Sequence, residues 1–169
     1  MHGLVLVDST PETAAMFDHV ARLTRQQDHL YGLFQLLSHV PPMRRLVAGV
    51  GARSFRRVFS PATYQTIVAE DFRPSSFAQM RREAAARADA VVEFRREPPR
   101  PPKCPVILLS ADRASTGAAS YPADIQEHQR RYIDSLDHGR FERVEAGHVV
   151  QAEQPELVVA RIRELLPGT

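Results

Sequence analysis

Two aspartates and one histidine follow predicted strands, at the points where the chain turns. Asp8 and Asp112 each come directly after a short apolar run, and His148 comes after a third, more polar strand. The carboxyl ends of parallel strands gather at one edge of a sheet, so we expect these side chains to lie within reach of one another. A carboxylate beside an imidazole fixes its tautomer and raises its pKa, which suits proton transfer near neutral pH. The sequence predicts an acid–base pair, and Asp112 is expected to be closer to His148 than Asp8 is.

Three segments have the pattern of strands. Residues 3–7 and 105–110 read Gly-Leu-Val-Leu-Val and Pro-Val-Ile-Leu-Leu-Ser, which is typical of strands buried on both faces of a parallel sheet. Residues 140–145 alternate and predict a third, more exposed strand. Helices near residues 124–138 and 155–166, with Gly139 placed to end the first, complete a β-α-β-α tail. The fold class is therefore α/β, with a short parallel sheet of three strands.

Residues 11–97 are predicted to be wholly helical. The capping-box spacing of Ser9 and Glu12 predicts a helix start, and apolar residues recur every three or four positions to about Val40, with a break near residues 25–29. Ser60-Pro61 and Pro74 predict two further helix starts, the second leading to a long helix. The proline-rich segment 98–102 then forms an extended connector. These boundaries predict one domain from residues 1–10 and 103–169, with the helical block inserted.

Composition excludes several classes of protein. The chain has 169 residues, a formal net charge of +2 and one cysteine, so neither a disulfide framework nor a concentrated nucleic-acid-binding face is expected. No apolar stretch is long enough to span a membrane, and no signal peptide is apparent, so we expect a cytoplasmic protein without nucleic-acid or membrane partners. The remaining histidines lack ligand spacing, and neither a metal nor another cofactor is expected.

The order of these elements resembles the C-terminal half of an α/β-hydrolase. The first strand, Gly3-Leu-Val-Leu-Val-Asp-Ser9, is similar to the family's strand after the nucleophile-bearing helix, and residues 11–97 are similar to its inserted helical cap. The segment Cys104–Ser110 resembles the next strand, whose end usually carries the catalytic acid. Residues 147–158, Gly-His-Val-Val-Gln-Ala-Glu-Gln-Pro-Glu-Leu-Val, resemble the histidine loop and the final helix.

The resemblance implies ester or acyl hydrolysis by Ser-His-Asp chemistry. It places His148 at the position of the catalytic histidine, with Asp112 slightly favoured over Asp8 as the acid. Apolar residues of the cap would line a pocket for a small apolar or ester-type ligand.

One part of the family pattern is missing. No Gly-x-Ser-x-Gly pentapeptide occurs in the chain, and the nearest serine, Ser54, lies in a predicted cap helix. We therefore expect a truncated family protein that is inactive alone. The alternative is a noncatalytic module or pseudoenzyme that binds an apolar small molecule or a protein partner. In either case, the absence of the family's earlier strands would leave a strand edge exposed, through which the chain could self-associate.

Overall fold

Three parallel strands form one sheet in the computed structural model, which describes residues 2–113 and 121–167. The strands are β1 (Leu4–Val7), β2 (Val106–Ala111) and β3 (Gly139–Val144), in the spatial order β1-β2-β3. Leu4 pairs with Val106 in the first ladder, and Val106 pairs with Gly139 in the second. The predicted α/β class with a short three-stranded parallel sheet is confirmed.

Strand position decides strand burial. All six residues of β2 are buried because this strand has a neighbour on each side. The residues of β1 are only half-buried, since β1 has one neighbour and lies at an edge. Both faces of β1 are covered as expected, since Leu4 and Leu6 pack on one side and Val5 and Val7 on the other, but its residues are less buried than those of β2.

The chain divides into two compact units. Unit 1 comprises Met1–Ala15 and Pro98–Thr169 and holds the sheet, and unit 2 comprises Met16–Glu97. Unit 2 contains the helices α1 (Val20–Ser38), α2 (Pro41–Gly51), α3 (Pro61–Glu70) and α4 (Pro74–Arg96), with a short 3-10 turn at Phe55–Arg57. Another 3-10 turn, Ala15–Phe17, begins in the last residue of the first segment of unit 1 and continues into unit 2.

The two helix starts predicted at prolines are confirmed, since α3 begins at Pro61 and α4 begins at Pro74. Ser60 accepts a hydrogen bond from the backbone N–H of Thr63 at 3.2 Å and caps α3, whose first residue is Pro61. Two expectations are wrong. Ser9 and Glu12 start no helix, because the chain makes only turns before residue 15. No break occurs near residues 25–29, because α1 runs without interruption from Val20 to Ser38, and within it Asp28 binds Arg81 of α4 at 2.7 Å.

Unit 2 has its own apolar core. Aromatic rings from α1, from α4 and from the link before α4 meet there, and Phe77 lies 5.6 Å from Phe34 and 6.0 Å from Phe72 between ring centroids. Val47 and Ala48 of α2 pack into the same cluster. The inward faces of α1, α2 and α4 therefore pack against one another in this core.

The helices of unit 1 cover both faces of the sheet. They are α5 (Tyr121–Asp134), α6 (Val150–Glu153) and α7 (Pro155–Glu164). Val106 and Leu108 of β2 pack with Ile133 of α5, whereas Ile107 and Leu109 pack with α6 and α7. This alternation is the period-two pattern of a strand buried on both faces. Gly139 opens β3 and does not end α5, which stops at Asp134. No helix in the described ranges is long and apolar enough to cross a membrane.

The free edge of β1 is expected to promote self-association. Beside it lies an apolar groove of about 460 Å³ whose lining includes Val5, Val158 and Ile162. An unpaired strand edge with apolar neighbours recruits other chains. Light scattering should therefore show a mass above that of one chain as concentration rises. Ile162→Lys should shift the protein toward the monomer, whereas Val92→Lys on α4 should not. A monomer at every concentration would refute this expectation.

Candidate functional site

Asp8 occupies the turn directly after β1. Its φ of 43° lies in the left-handed region, which aspartate tolerates better than most residues because its short side chain bonds locally. Its backbone N–H donates to the carbonyl of Leu109 at 2.7 Å, which extends the ladder between β1 and β2 by one residue. The side chain is 12% exposed, so its carboxylate sits within the carboxyl edge of the sheet.

His148 pairs with Asp8. Its Nδ1 lies 2.7 Å from Oδ2 of Asp8, and the two residues are 140 positions apart in sequence. A carboxylate accepts hydrogen bonds and does not donate them, so the proton of this bond belongs to Nδ1. The neutral imidazole therefore keeps the lone pair on Nε2. The expectation that Asp112 forms the closer pair is wrong, because Asp8 contacts the ring.

A second hydrogen-bond network holds the other oxygen of Asp8. Oδ1 accepts from the backbone N–H of Ala111 at 3.1 Å and from Nε2 of Gln129 at 3.3 Å. Gln129 is fully buried, and its Nε2 also donates to the carbonyl of Ser9 at 2.7 Å. The carboxylate is thus fixed from three sides, which leaves Oδ2 directed at the imidazole.

Gln129 is a site residue that the sequence reasoning missed. It lies on α5 midway between Ile125 and Ile133, four residues from each, so it shares their buried face. A glutamine in an apolar stripe needs polar partners inside the protein. A glutamine spaced four residues from two isoleucines on one helix face is therefore the sequence signal that could have identified Gln129.

Asp112 holds the loop that precedes the histidine. Its Oδ1 accepts from the backbone N–H of Ala146 at 3.2 Å, and its own N–H donates to the carbonyl of Val144 at 3.1 Å. These bonds continue the pairing of β2 with β3 beyond the strands. Asp112 therefore joins the two strand ends, and of the two candidate aspartates only Asp8 binds the imidazole.

Glu153 holds the histidine turn from the other side. Its Oε1 accepts from the backbone N–H of Gly147 at 2.9 Å, and its Oε2 forms an ion pair with Arg113. A Cβ at position 147 would lie 2.8 Å from Oε1 of Glu153, so a side chain there would displace the carboxylate that holds the turn. Neither Arg113 nor Glu153 was singled out from the sequence. Their pairing depends on a loop and a helix meeting, which no local pattern records.

The environment favours the charged form of His148. The hydrogen bond to Asp8 raises the pKa of the imidazole above its ordinary value, and attraction to the same carboxylate adds to this, while partial burial opposes both. The side chain is 58% exposed, so solvent or a bound molecule can reach it. Such an imidazole can accept a proton at Nε2 while Asp8 stabilises the resulting cation.

No nucleophile contacts this pair in the part of the chain that the structure covers. Asp8 is the one hydrogen-bond partner of His148 among residues 2–113 and 121–167. Ser54 lies in unit 2, directly before the 3-10 turn Phe55–Arg57. Within the same ranges, no group of three or more histidine, cysteine, aspartate or glutamate residues could hold a metal ion.

Two comparisons with known proteins were made for this chain. A scan against models of known protein families finds none that matches the chain, and a search of curated proteins finds no match either.

Proposed function

We propose that unit 1 carries the acid–base half of an acyl-transfer site of the α/β-hydrolase type. In this proposal His148 is the base and Asp8 is the acid that orients it. Asp112 fixes the strand ends on which the histidine loop is mounted. The chain lacks a Gly-x-Ser-x-Gly nucleophile, so it would not hydrolyse esters on its own.

The observation that carries the proposal is the bond between Nδ1 of His148 and Oδ2 of Asp8, at 2.7 Å. The Asp8 carboxylate is mostly buried, and its second oxygen accepts hydrogen bonds from two other donors. Such a fixed carboxylate is not needed by a histidine that only occupies a surface turn. The parallel sheet supports the same reading, because both residues follow strands at its carboxyl edge, where ligands bind in open α/β sheets.

Each residue has a defined part in proton transfer. Asp8 holds Nδ1–H, so Nε2 is the atom that accepts a proton from an attacking hydroxyl group. The positive charge that forms on the ring is stabilised by the carboxylate of Asp8. His148 would then return the proton to the leaving group, which is the usual second step of such a base.

The purified chain is not expected to cleave short activated esters through a serine, so its rate should exceed that of His148→Ala only by the low reactivity of one exposed imidazole. The covalent nucleophile of the family pattern is missing, and each donor of an oxyanion hole contributes about 10²–10³ in rate. Release of p-nitrophenol from p-nitrophenyl acetate measures this. Turnover together with labelling of a serine by a fluorophosphonate would contradict it.

Adding an external nucleophile to the ester-cleavage assay shows whether His148 and Asp8 act as an acid–base pair or form only a surface contact. Adding trifluoroethanol should accelerate ester cleavage more in the natural chain than in His148→Ala or Asp8→Asn, because Nε2 takes the proton of the alcohol. Asp112→Asn is the matched control, since Asp112 does not bind the ring and should leave the acceleration in place. Equal acceleration by trifluoroethanol in all four proteins would rule out the proposed role.

The groove beside β1 favours a second candidate function. Its lining is mainly aliphatic and comes from β1 and α7, so the chain could bind a small apolar molecule without catalysing a reaction. Saturable binding of decanoate, reduced by Ile162→Glu and unchanged by His148→Ala, would support this function. An absence of saturable binding would remove it.

A further inference from the structure

Exposed large hydrophobic side chains concentrate on α1, on α2 and on the link between them. Of the eleven such side chains in the described ranges, six fall within residues 30–50: Leu30, Leu33, Leu36, Val40, Leu46 and Val50. Two of these protrude furthest, since Leu36 is 68% exposed and Val50 is 73% exposed. A concentration of this kind on a protein surface indicates an interaction site more often than chance.

The core of unit 2 does not explain these residues. The inner face of α1 packs against that core through Tyr31, Phe34 and Leu37. The inner face of α2 packs there through Val47 and Ala48. At about 100° per residue, Leu36 lies on the side of α1 away from its core residues, and Leu46 and Val50 lie on the side of α2 away from Val47 and Ala48. Both helices therefore have one apolar face inside and a second one outside.

The same stretch carries positive charge alone. No aspartate or glutamate occurs between Asp28 and Glu70, whereas the segment contains five exposed arginines: Arg44, Arg45, Arg53, Arg56 and Arg57. None of the five forms an ion pair within the described ranges, and the two flanking acids already bind Arg81 and Arg73, respectively. The segment thus combines exposed aliphatic side chains with unneutralised guanidinium groups.

We propose that α1 and α2 bind the surface of a bilayer that contains anionic lipids. The aliphatic side chains would enter the boundary between headgroups and acyl chains, and the arginines would meet lipid phosphates and carboxylates. The expectation of no membrane partner rested on the lack of a spanning segment, which does not bear on a surface contact. The proposal is independent of the acid–base pair of unit 1.

Shape and charge favour a bilayer over other occupants. A second copy would bring the same acid-free surface against this one, and arginine would face arginine. A protein partner would need pockets matched to Leu36 and Val50 together with acidic groups around them. A fluid acyl boundary accepts protruding side chains without matched pockets, and anionic headgroups supply the negative charge.

Sedimentation of the full chain with vesicles tests the proposal. The chain should bind vesicles of phosphatidylcholine mixed with phosphatidylserine, and binding to phosphatidylcholine alone should be weaker by more than about 25-fold, because the contribution of every arginine is lost. Each arginine near such a surface contributes roughly fivefold in partition, so Arg44→Gln with Arg45→Gln should lower binding by about 25-fold, and added salt should weaken it further.

A matched pair of variants isolates the apolar contribution. Leu46→Glu and Val92→Glu change side chains that are both 59% exposed, one on α2 and the other on α4. Leu46→Glu should lower vesicle binding by about tenfold or more, and Val92→Glu should leave it unchanged. Circular dichroism checks that both variants stay folded, as exposed sites allow. No binding to the mixed vesicles, or equal effects of the two variants, would overturn the proposal. Binding to poly-L-glutamate without binding to vesicles would overturn it too and indicate an acidic protein partner.

Discussion

Replacing Leu108 with alanine is expected to lower the free energy of unfolding of unit 1 by about 2–5 kcal/mol. Leu108 is fully buried in the central strand and packs with Val106 and Ile133 on one face of the sheet. Truncation removes its apolar contacts and leaves a cavity that the paired strands on either side cannot close. Since small domains are stable by only about 5–15 kcal/mol, the variant loses a large share of the total.

Urea unfolding followed by circular dichroism measures this loss. Val159→Ala is the control, because Val159 lies on α7 with 43% of its surface exposed and should shift stability by only about 0.5 kcal/mol. Equal midpoints for Leu108→Ala and Val159→Ala would contradict the packing described for β2.

Replacing Asp8 with asparagine is expected to reverse the tautomer of His148 and lower its pKa. Asparagine has nearly the same shape as aspartate and also tolerates a positive φ, so the turn after β1 should persist. If its oxygen keeps the N–H of Ala111, its amide N–H faces Nδ1 and donates to it. The ring proton then moves to Nε2, and the atom proposed to act as the base loses its lone pair.

The same substitution predicts a pH-dependent change in stability. The folded-state pKa of His148 is raised, so the pair stabilises the fold at pH values below the unfolded-state pKa, and this contribution is lost as the pH rises through the folded-state pKa. Asp8→Asn should therefore cost more stability at pH 5.5 than at pH 8.5. The difference should be about 1 kcal/mol or less because the imidazole is largely exposed. A larger cost at the alkaline value would contradict the assignment.

The sheet could be predicted from the sequence because buried strands are encoded by short apolar runs and half-exposed strands by alternating ones. The apolar runs at residues 3–7 and 105–110 correspond to β1 and β2, and the alternating run after Gly139 corresponds to β3. The edge position of β1 could not be predicted in this way, since composition does not record the number of neighbours. The polar stretch at residues 25–29 was misinterpreted as a break for a similar reason, since its contact with α4, the bond between Asp28 and Arg81, joins residues 53 positions apart.

The three residues of the candidate site could be predicted from the sequence, but the aspartate that binds His148 could not. Strand ends placed Asp8, Asp112 and His148 at one edge, which the parallel sheet supports. Which aspartate binds the ring depends on where each chain turns. Asp8 turns at once into the left-handed region, whereas Asp112 continues the ladder to Val144 and directs its carboxylate at the backbone of Ala146. Such differences of one residue in a loop leave no periodic signal.

The central claim is that Asp8 holds the Nδ1 proton of His148 and leaves Nε2 free. A pH titration of the two ring ¹⁵N chemical shifts of His148 tests it most directly, with Asp8→Asn and Asp112→Asn measured alongside. The account predicts a neutral ring protonated at Nδ1 and a pKa above the ordinary histidine value, with both properties lost in Asp8→Asn and kept in Asp112→Asn. A neutral ring protonated at Nε2 in the natural chain, with a pKa that Asp8→Asn leaves unchanged, would contradict it.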